Sequence, residues 1–184
     1  MKTRALTVIF LLLAFPSVLP SQARKFYMEA KGGYFMPTEE AFKEIYGSNV
    51  CWGGEIGTLL SRYFGIWAGV DYYSKMGKLT FTGEDTKLRI APILVGGKLY
   101  IPISKHRLYL GAGVGYFQYK ESNAIEVIKK GDIGFVGKAG LVLRFGAAFL
   151  FDLQGSYTYC KVKPGELEAD LGGLLLGAGI GFQF

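Results

Sequence analysis

The sequence predicts an all-β protein: eight antiparallel strands closed up-and-down into a transmembrane barrel, with a short helical turn in the first outer connection. Three observations carry this expectation. From about residue 25 onward, apolar residues recur with period two in stretches of roughly 10–14 residues, long enough for tilted strands to cross a bilayer core. The connections alternate between long and short, as in membrane barrels with long outer loops and short periplasmic turns. Glycine is abundant, 27 residues against 6 prolines, and is spaced by two among aromatic and β-branched residues. That spacing marks strands under geometric constraint; collagen is excluded because no G-X-Y period exists.

The chain opens with MKTRALTVIFLLLAFPSVLPSQA. Lys2 and Arg4 make a basic start, Ala5 to Leu19 an apolar run broken by Pro16, and Ser21 and Ala23 the small residues of a cleavage site. This is the pattern of a secretory signal peptide over 1–23, cut after Ala23. Pro16, Pro20 and the short apolar core argue against an anchor helix. Residues 24–184 then form one barrel domain, located in a bacterial outer membrane. The formal net charge of +6 is spread along the chain with no basic block, so nucleic acid is not an expected partner.

The strands are placed at about 25–36, 51–61, 66–76, 88–100, 107–119, 133–145, 147–160 and 171–184. The long connections are 37–50, 77–87, 120–132 and 161–170; the short ones are 61–65, 101–106 and the surroundings of Gly146. In 147–160 one face carries Phe149, Phe151, Leu153, Tyr157 and Tyr159, and the other Asp152, Gln154, Ser156 and Thr158. The same division holds in 51–61, where Trp52, Ile56 and Leu60 oppose Glu55, and in 66–76, where Ile66, Val70 and Tyr72 oppose Asp71 and Lys75. Periodicity alone does not say which face is inside. Aromatics rimming both ends of the apolar faces decide for lipid outside: Trp52, Tyr72, Tyr116, Tyr157 and Tyr159 at one end, Phe26, Phe145, Phe149, Phe182 and Phe184 at the other.

On this register the interior holds Glu29, Lys31, Glu55, Asp71, Lys75, Lys98, Lys138, Arg144 and Asp152. Near-balanced signs allow these groups to satisfy one another, and eight strands leave an interior just wide enough for side chains. A packed electrostatic core is therefore expected ahead of a solute path. Inward glycines such as Gly111 and Gly113 either make room for aromatics, Tyr109 and Phe117 among them, or leave a narrow cavity.

Catalysis finds little support. The lone histidine, His106, falls in a short turn near Ser104, without an orienting third group, and is read as solvated. No His/Cys/Asp cluster has metal-ligand spacing, and GAGVG and GAGIG lie in strands rather than opening helices. No enzyme activity, metal or cofactor is expected. Cys51 and Cys160 are a candidate disulfide tying the first loop to the last, although strands two and seven are not neighbours and a bridge needs Cα atoms within about 7 Å.

The chain ends GAGIGFQF. Ile180, Phe182 and Phe184 continue one apolar face to the terminus, and the pattern resembles the C-terminal signal that barrel-insertion machinery reads in outer-membrane proteins. The stretch GGYFMPTEEAFKEIYGSN, with Phe42, Ile45, Tyr46 and Gly47, resembles the outer-membrane β-barrel domain family of small porin-like and opacity-type proteins. There an aromatic and a Pro end the strand before a turn of helix; Thr38 is placed to cap it, with Glu39 and Glu40 in its first turn. The OmpA and OmpX barrels are similar in architecture. The resemblance implies a fold and a location rather than a reaction. Three functional readings follow: loops serving surface interaction or envelope structure, a narrow channel for small or apolar solutes, and a soluble, secreted lipocalin-like calyx. The expected partners are outer-membrane lipid, the insertion machinery and a loop partner.

Overall fold

The computed structural model describes residues 26–78, 85–122, 127–162 and 169–184. The signal segment 1–23 lies outside the described residues. The strands are β1 (Phe26–Pro37), β2 (Asn49–Leu59), β3 (Phe64–Lys78), β4 (Asp85–Ile103), β5 (His106–Ser122), β6 (Val127–Phe145), β7 (Phe149–Tyr159), the short β8 (Lys161–Val162) and β9 (Ala169–Asp170), and β10 (Gly173–Gln183). Eight of them close in the order β1-β10-β7-β6-β5-β4-β3-β2, while β8 and β9 form a small ladder of their own. The seam joins β1 to β10 from Tyr27↔Gln183 to Pro37↔Gly173. Closure removes every free edge from the barrel wall.

Period two sorts the side chains as the apolar alternation demands. Asp152, Gln154, Ser156 and Thr158 of β7 are buried, while Leu153, Tyr157 and Tyr159 between and beyond them are exposed. Trp52 is 65% exposed and Trp67, on the opposite parity of the next strand, only 3%. In β10, Leu174, Leu176, Ile180 and Phe182 all face outward, as does Phe184 after it. A continuous apolar wall of this extent is a liability in water and the natural surface for hydrocarbon. The wall is rimmed at the short-turn end by touching aromatics: Phe149 stands 6.2 Å from Phe145 and 5.7 Å from Phe182 between ring centroids, and Phe26 stacks on Phe184 at 6.5 Å. A lipocalin-like calyx needs a polar exterior; this barrel turns apolar side chains outward and mixes charges with aromatic and aliphatic side chains inside.

Three expectations are corrected. Strand runs into both ends of the connections 77–87 and 120–132, since β3 and β4 stay paired to Lys78↔Asp85 and β5 and β6 to Ser122↔Val127; residues 79–84 and 123–126 lie outside the described residues. The apolar alternation stops where the wall leaves hydrocarbon, but a backbone ladder continues under polar side chains. Thr38 does not cap the helix α1 (Glu40–Ile45): the N-cap position is Glu39, without a side-chain cap, and the Thr38 N–H donates to the Gly172 carbonyl at 3.2 Å. His106 is the half-buried first residue of β5, and its Nδ1 accepts the Arg144 N–H at 3.2 Å.

Inward glycines face bulky neighbours. A Cβ at Gly140 would sit 2.6 Å from the Tyr109 hydroxyl and 2.4 Å from the Leu153 carbonyl; one at Gly134 would meet the Phe117 ring at 2.6 Å. At the outward Gly137 a Cβ would meet nothing within 4 Å. Gly140→Ala should therefore lower stability by about 1–3 kcal/mol, whereas Gly137→Ala on the same strand should be neutral or slightly stabilising. Urea unfolding of the two variants in lipid vesicles, followed by tryptophan emission, checks this.

Candidate functional site

The register places a small residue between long polar ones. Lys31 of β1 is separated from Asp152 of β7 by Gly179 of β10, and from Asp71 of β3 by Gly53 of β2. Lys98 of β4 and Lys138 of β6 flank Gly111 of β5. Their side chains lie over these glycines; a Cβ at Gly111 would touch Cγ of both lysines, at 3.0 and 3.1 Å. Charges from strands that are not neighbours thus meet on the barrel axis.

Glu55 is the hub. It pairs with Lys31 at 3.2 Å, with Lys138 at 3.0 Å and with Lys98, and accepts the Tyr27 hydroxyl at 2.8 Å. Lys31 also pairs with Glu29 at 3.0 Å and Asp152 at 2.8 Å, and donates to Gln154 Oε1 at 3.0 Å. Aromatic rings complete the shell: Lys138 Nζ lies 3.5 Å from the Trp67 ring centroid and Lys98 Nζ 4.4 Å from that of Tyr109, whose hydroxyl donates to Asp152 at 3.0 Å. Cation–π contacts and ion pairs both strengthen where water is excluded.

Of the nine charges expected inside, Glu29, Lys31, Glu55, Lys98, Lys138 and Asp152 form this connected lattice. Asp71 faces the same interior beside Gly53 and lines a cavity. Lys75 and Arg144 stand apart, half-exposed near opposite ends of the barrel and in none of these ion pairs. Gln154 was placed on the polar face of its strand from sequence, whereas Tyr27 and Trp67 were not singled out; their parity with the charged residues is the signal that finds them.

The outer end is closed by a second group. Phe42 and Tyr46 of α1 and its C-terminal edge are buried against Tyr73, with the Phe42 and Tyr73 centroids 6.1 Å apart. The Tyr73 hydroxyl donates to the Gly47 carbonyl at 3.0 Å. Glu121 of β5 collects three hydroxyls: Tyr46 at 2.5 Å, Tyr119 at 2.6 Å and Thr86 at 3.2 Å. Burial, then the bond to Glu121, pushes the Tyr46 hydroxyl pKa above its ordinary value, so it stays a donor. Between lattice and cap lies a cavity of ≈ 30 Å³, bounded by Phe35, Asp71, Tyr73, Pro92 and Phe117, with room for one or two waters. The β3–β4 ladder is interrupted beside it, passing from Val70↔Ile93 to Tyr73↔Ile90 around Pro92, which has no N–H to donate.

The cysteine bridge considered from sequence is not made. Cys51 and Cys160 are both free and buried, and β10 and β1 stand between their strands. Cys160 Sγ points to the Asp132 carbonyl instead, and burial pushes its thiol up to about 12, which keeps it protonated and unreactive at neutral pH. Among the described residues no group of three His, Cys, Asp or Glu side chains could hold a metal ion.

Known structures share this wall. The chain is similar to the outer membrane protein OprG from Pseudomonas aeruginosa, with a TM-score of 0.73 at 14% identity, covering 89% of this chain and 97% of that one. The chain has the fold of the small outer-membrane barrels. It is also similar to Neisserial surface protein A, with a TM-score of 0.68 at 15% identity over 86% of this chain and 97% of that one. The attachment invasion locus protein Ail of Yersinia pestis, in complex with the heparin analogue sucrose octasulfate, matches with a TM-score of 0.59 at 16% identity over 89% of this chain and all of that one, 100%. No family model matches the sequence. No curated protein matches it either.

Because Glu55 holds three buried lysines, Glu55→Ala should cost about 3–5 kcal/mol by leaving them uncompensated, far more than Lys75→Ala at the rim. The urea midpoints of the two variants in vesicles measure the difference.

Proposed function

We propose that this protein is a non-enzymatic bacterial outer-membrane barrel whose wall is an anchor and whose outer end does the interacting. The observation that carries the reading is the filled interior: the lattice around Glu55 spans the axis, and α1 lies over the mouth above it. A permeating solute would have to break several ion pairs at once in a water-poor interior. The outer end, by contrast, is built up. Strands β3 to β6 run on past the aromatic rim, and β8 and β9 add a ladder on the other side. The similarity to Ail, the attachment invasion locus protein of Yersinia pestis, supports an interacting outer end on a wall of this kind.

The segment 1–23 is the export signal, and Ile180, Phe182 and Phe184 on the outward face of β10 offer the insertion machinery its recognition pattern. Among the described residues neither the thiols, which are buried apart, nor His106, which accepts a backbone N–H at the periplasmic turn, forms a nucleophile–base pair.

Planar-bilayer recording tests the reading. The purified protein should insert without producing stepwise currents, and Glu55→Ala should raise the frequency of brief openings. Regular steps from the unmodified protein would establish the channel reading in its place.

A further inference from the structure

Outside the barrel, the register assembles a feature that no stretch of sequence contains. Arg89 of β4 pairs directly with Lys120 of β5, and Lys120 pairs directly with Lys129 of β6. Arg89, Lys120 and Lys129 share the outward parity of Ile93, Tyr116 and Ile133, which are exposed. Arg89 and Lys129 are themselves exposed and Lys120 half-exposed. Lys87, two residues above Arg89 on the same face, extends the row upward. None of these four takes part in the ion pairs of the lumen lattice. Of the carboxylates on these strand ends, Glu121 is turned into the mouth and occupied by three hydroxyls, Asp132 accepts the Ile133 N–H at 2.7 Å, and Asp85, two residues above Lys87, makes no ion pair with the row. Like charges directly opposite on adjacent strands destabilise the sheet. Three in one row, with no acid among the described residues paired to them, form a surface that calls for a counter-charge.

The height of the row identifies that counter-charge. Tyr116 belongs to the outer aromatic rim, and it lays its hydroxyl across Gly131 of β6. Gly131 pairs with Gln118, and the next outward-facing position on β5 is Lys120. The basic row therefore stands about 7 Å along the strand above the level of the Tyr116 hydroxyl. Tyrosine hydroxyls mark the boundary between hydrocarbon and headgroup, and a leaflet's headgroup layer is about 5–8 Å thick. The row points sideways from the wall into that layer, not upward to the medium. Fixed anions at this height are the phosphates of the outer-leaflet lipid, and guanidinium and ammonium groups suit them.

We propose that Arg89, Lys120 and Lys129, with Lys87 above them, form a docking shelf for a phosphorylated outer-leaflet lipid, held through its headgroup phosphates against one side of the barrel. This rests on the outer-membrane reading above. The shelf gives the wall a polarity around its circumference: a lipid-holding sector on β4 to β6, away from the seam between β1 and β10.

The test uses the full-length protein folded in a neutral detergent and incubated with diphosphoryl lipid A, its monophosphoryl form and its dephosphorylated form; native mass spectrometry counts the lipid retained. Retention should fall about tenfold from the diphosphoryl to the dephosphorylated lipid, and about tenfold for the diphosphoryl lipid in the triple variant Arg89→Gln, Lys120→Gln, Lys129→Gln. Inorganic phosphate or heparin at the same concentration should not displace the lipid. Retention that ignores the phosphates or the triple variant overturns the proposal. So does displacement by inorganic phosphate, which would make this a bare anion site, or by heparin, which would make it a polyanion site. Heat-modifiable gel migration shows that each variant has folded; if the triple variant has not, Lys120→Gln, which removes both like-charge pairs, decides with the same expected direction. A protein that fails to insert into vesicles strikes the outer-membrane reading itself; one that inserts but binds lipid independently of the row strikes only this inference.

Discussion

Eight strands make a cylinder with little room inside, and every side chain on the inward parity competes for that room. The chain meets this constraint by alternating long polar or aromatic residues with glycine around the circumference. Lys31 reaches Asp152 because Gly179 stands between them, and Lys98 and Lys138 converge because Gly111 separates them. Tyr109 and Phe117 lie over Gly140 and Gly134 for the same reason. Glycine is thus abundant here for the space it leaves rather than for turns.

Once the interior is that narrow, its chemistry follows. A lone lysine or carboxylate there would be strongly destabilising, so the charges are netted into a lattice in which Glu55 and Lys31 each serve several partners. A buried lattice also fixes register, since slipping one strand by a single residue would turn its charges toward lipid. The filled axis leaves the outer rim, with the α1 cap and the extended strands, as the part of the molecule free to meet partners. In the proposed function the lumen is structural, and the working surfaces lie at the rim and on the outside wall.

Much of this was legible in the sequence because period two is a property of single strands. The sidedness of Phe149 to Tyr159 and of Leu174 to Phe184 needs no partner to be read. What depended on pairing was not legible. Parity alone put nine charges inside, but only the register shows that Lys75 and Arg144 lie near the ends while the lattice forms between them. The outer reaches of β4, β5 and β6 looked like loops because their residues are polar, although the ladder continues through Arg89, Lys120 and Lys129. The same three residues lie far apart in sequence, so their row has no linear signature. The capping role given to Thr38 failed because the backbone turns one residue later, at Glu39, with the Thr38 N–H held by Gly172.

The orientation of the wall underlies all of this, and the two tryptophans report it directly. Trp52 faces outward on β2, and Trp67 lies inside on β3 under Lys138. In vesicles of phosphatidylcholine brominated on the acyl chains, Trp67→Phe, which keeps Trp52, should show strongly quenched emission. Trp52→Phe, which keeps Trp67, should emit as it does in unbrominated lipid. Quenching of Trp67 with Trp52 spared would mean that the charged face meets hydrocarbon, and would contradict the account at its base.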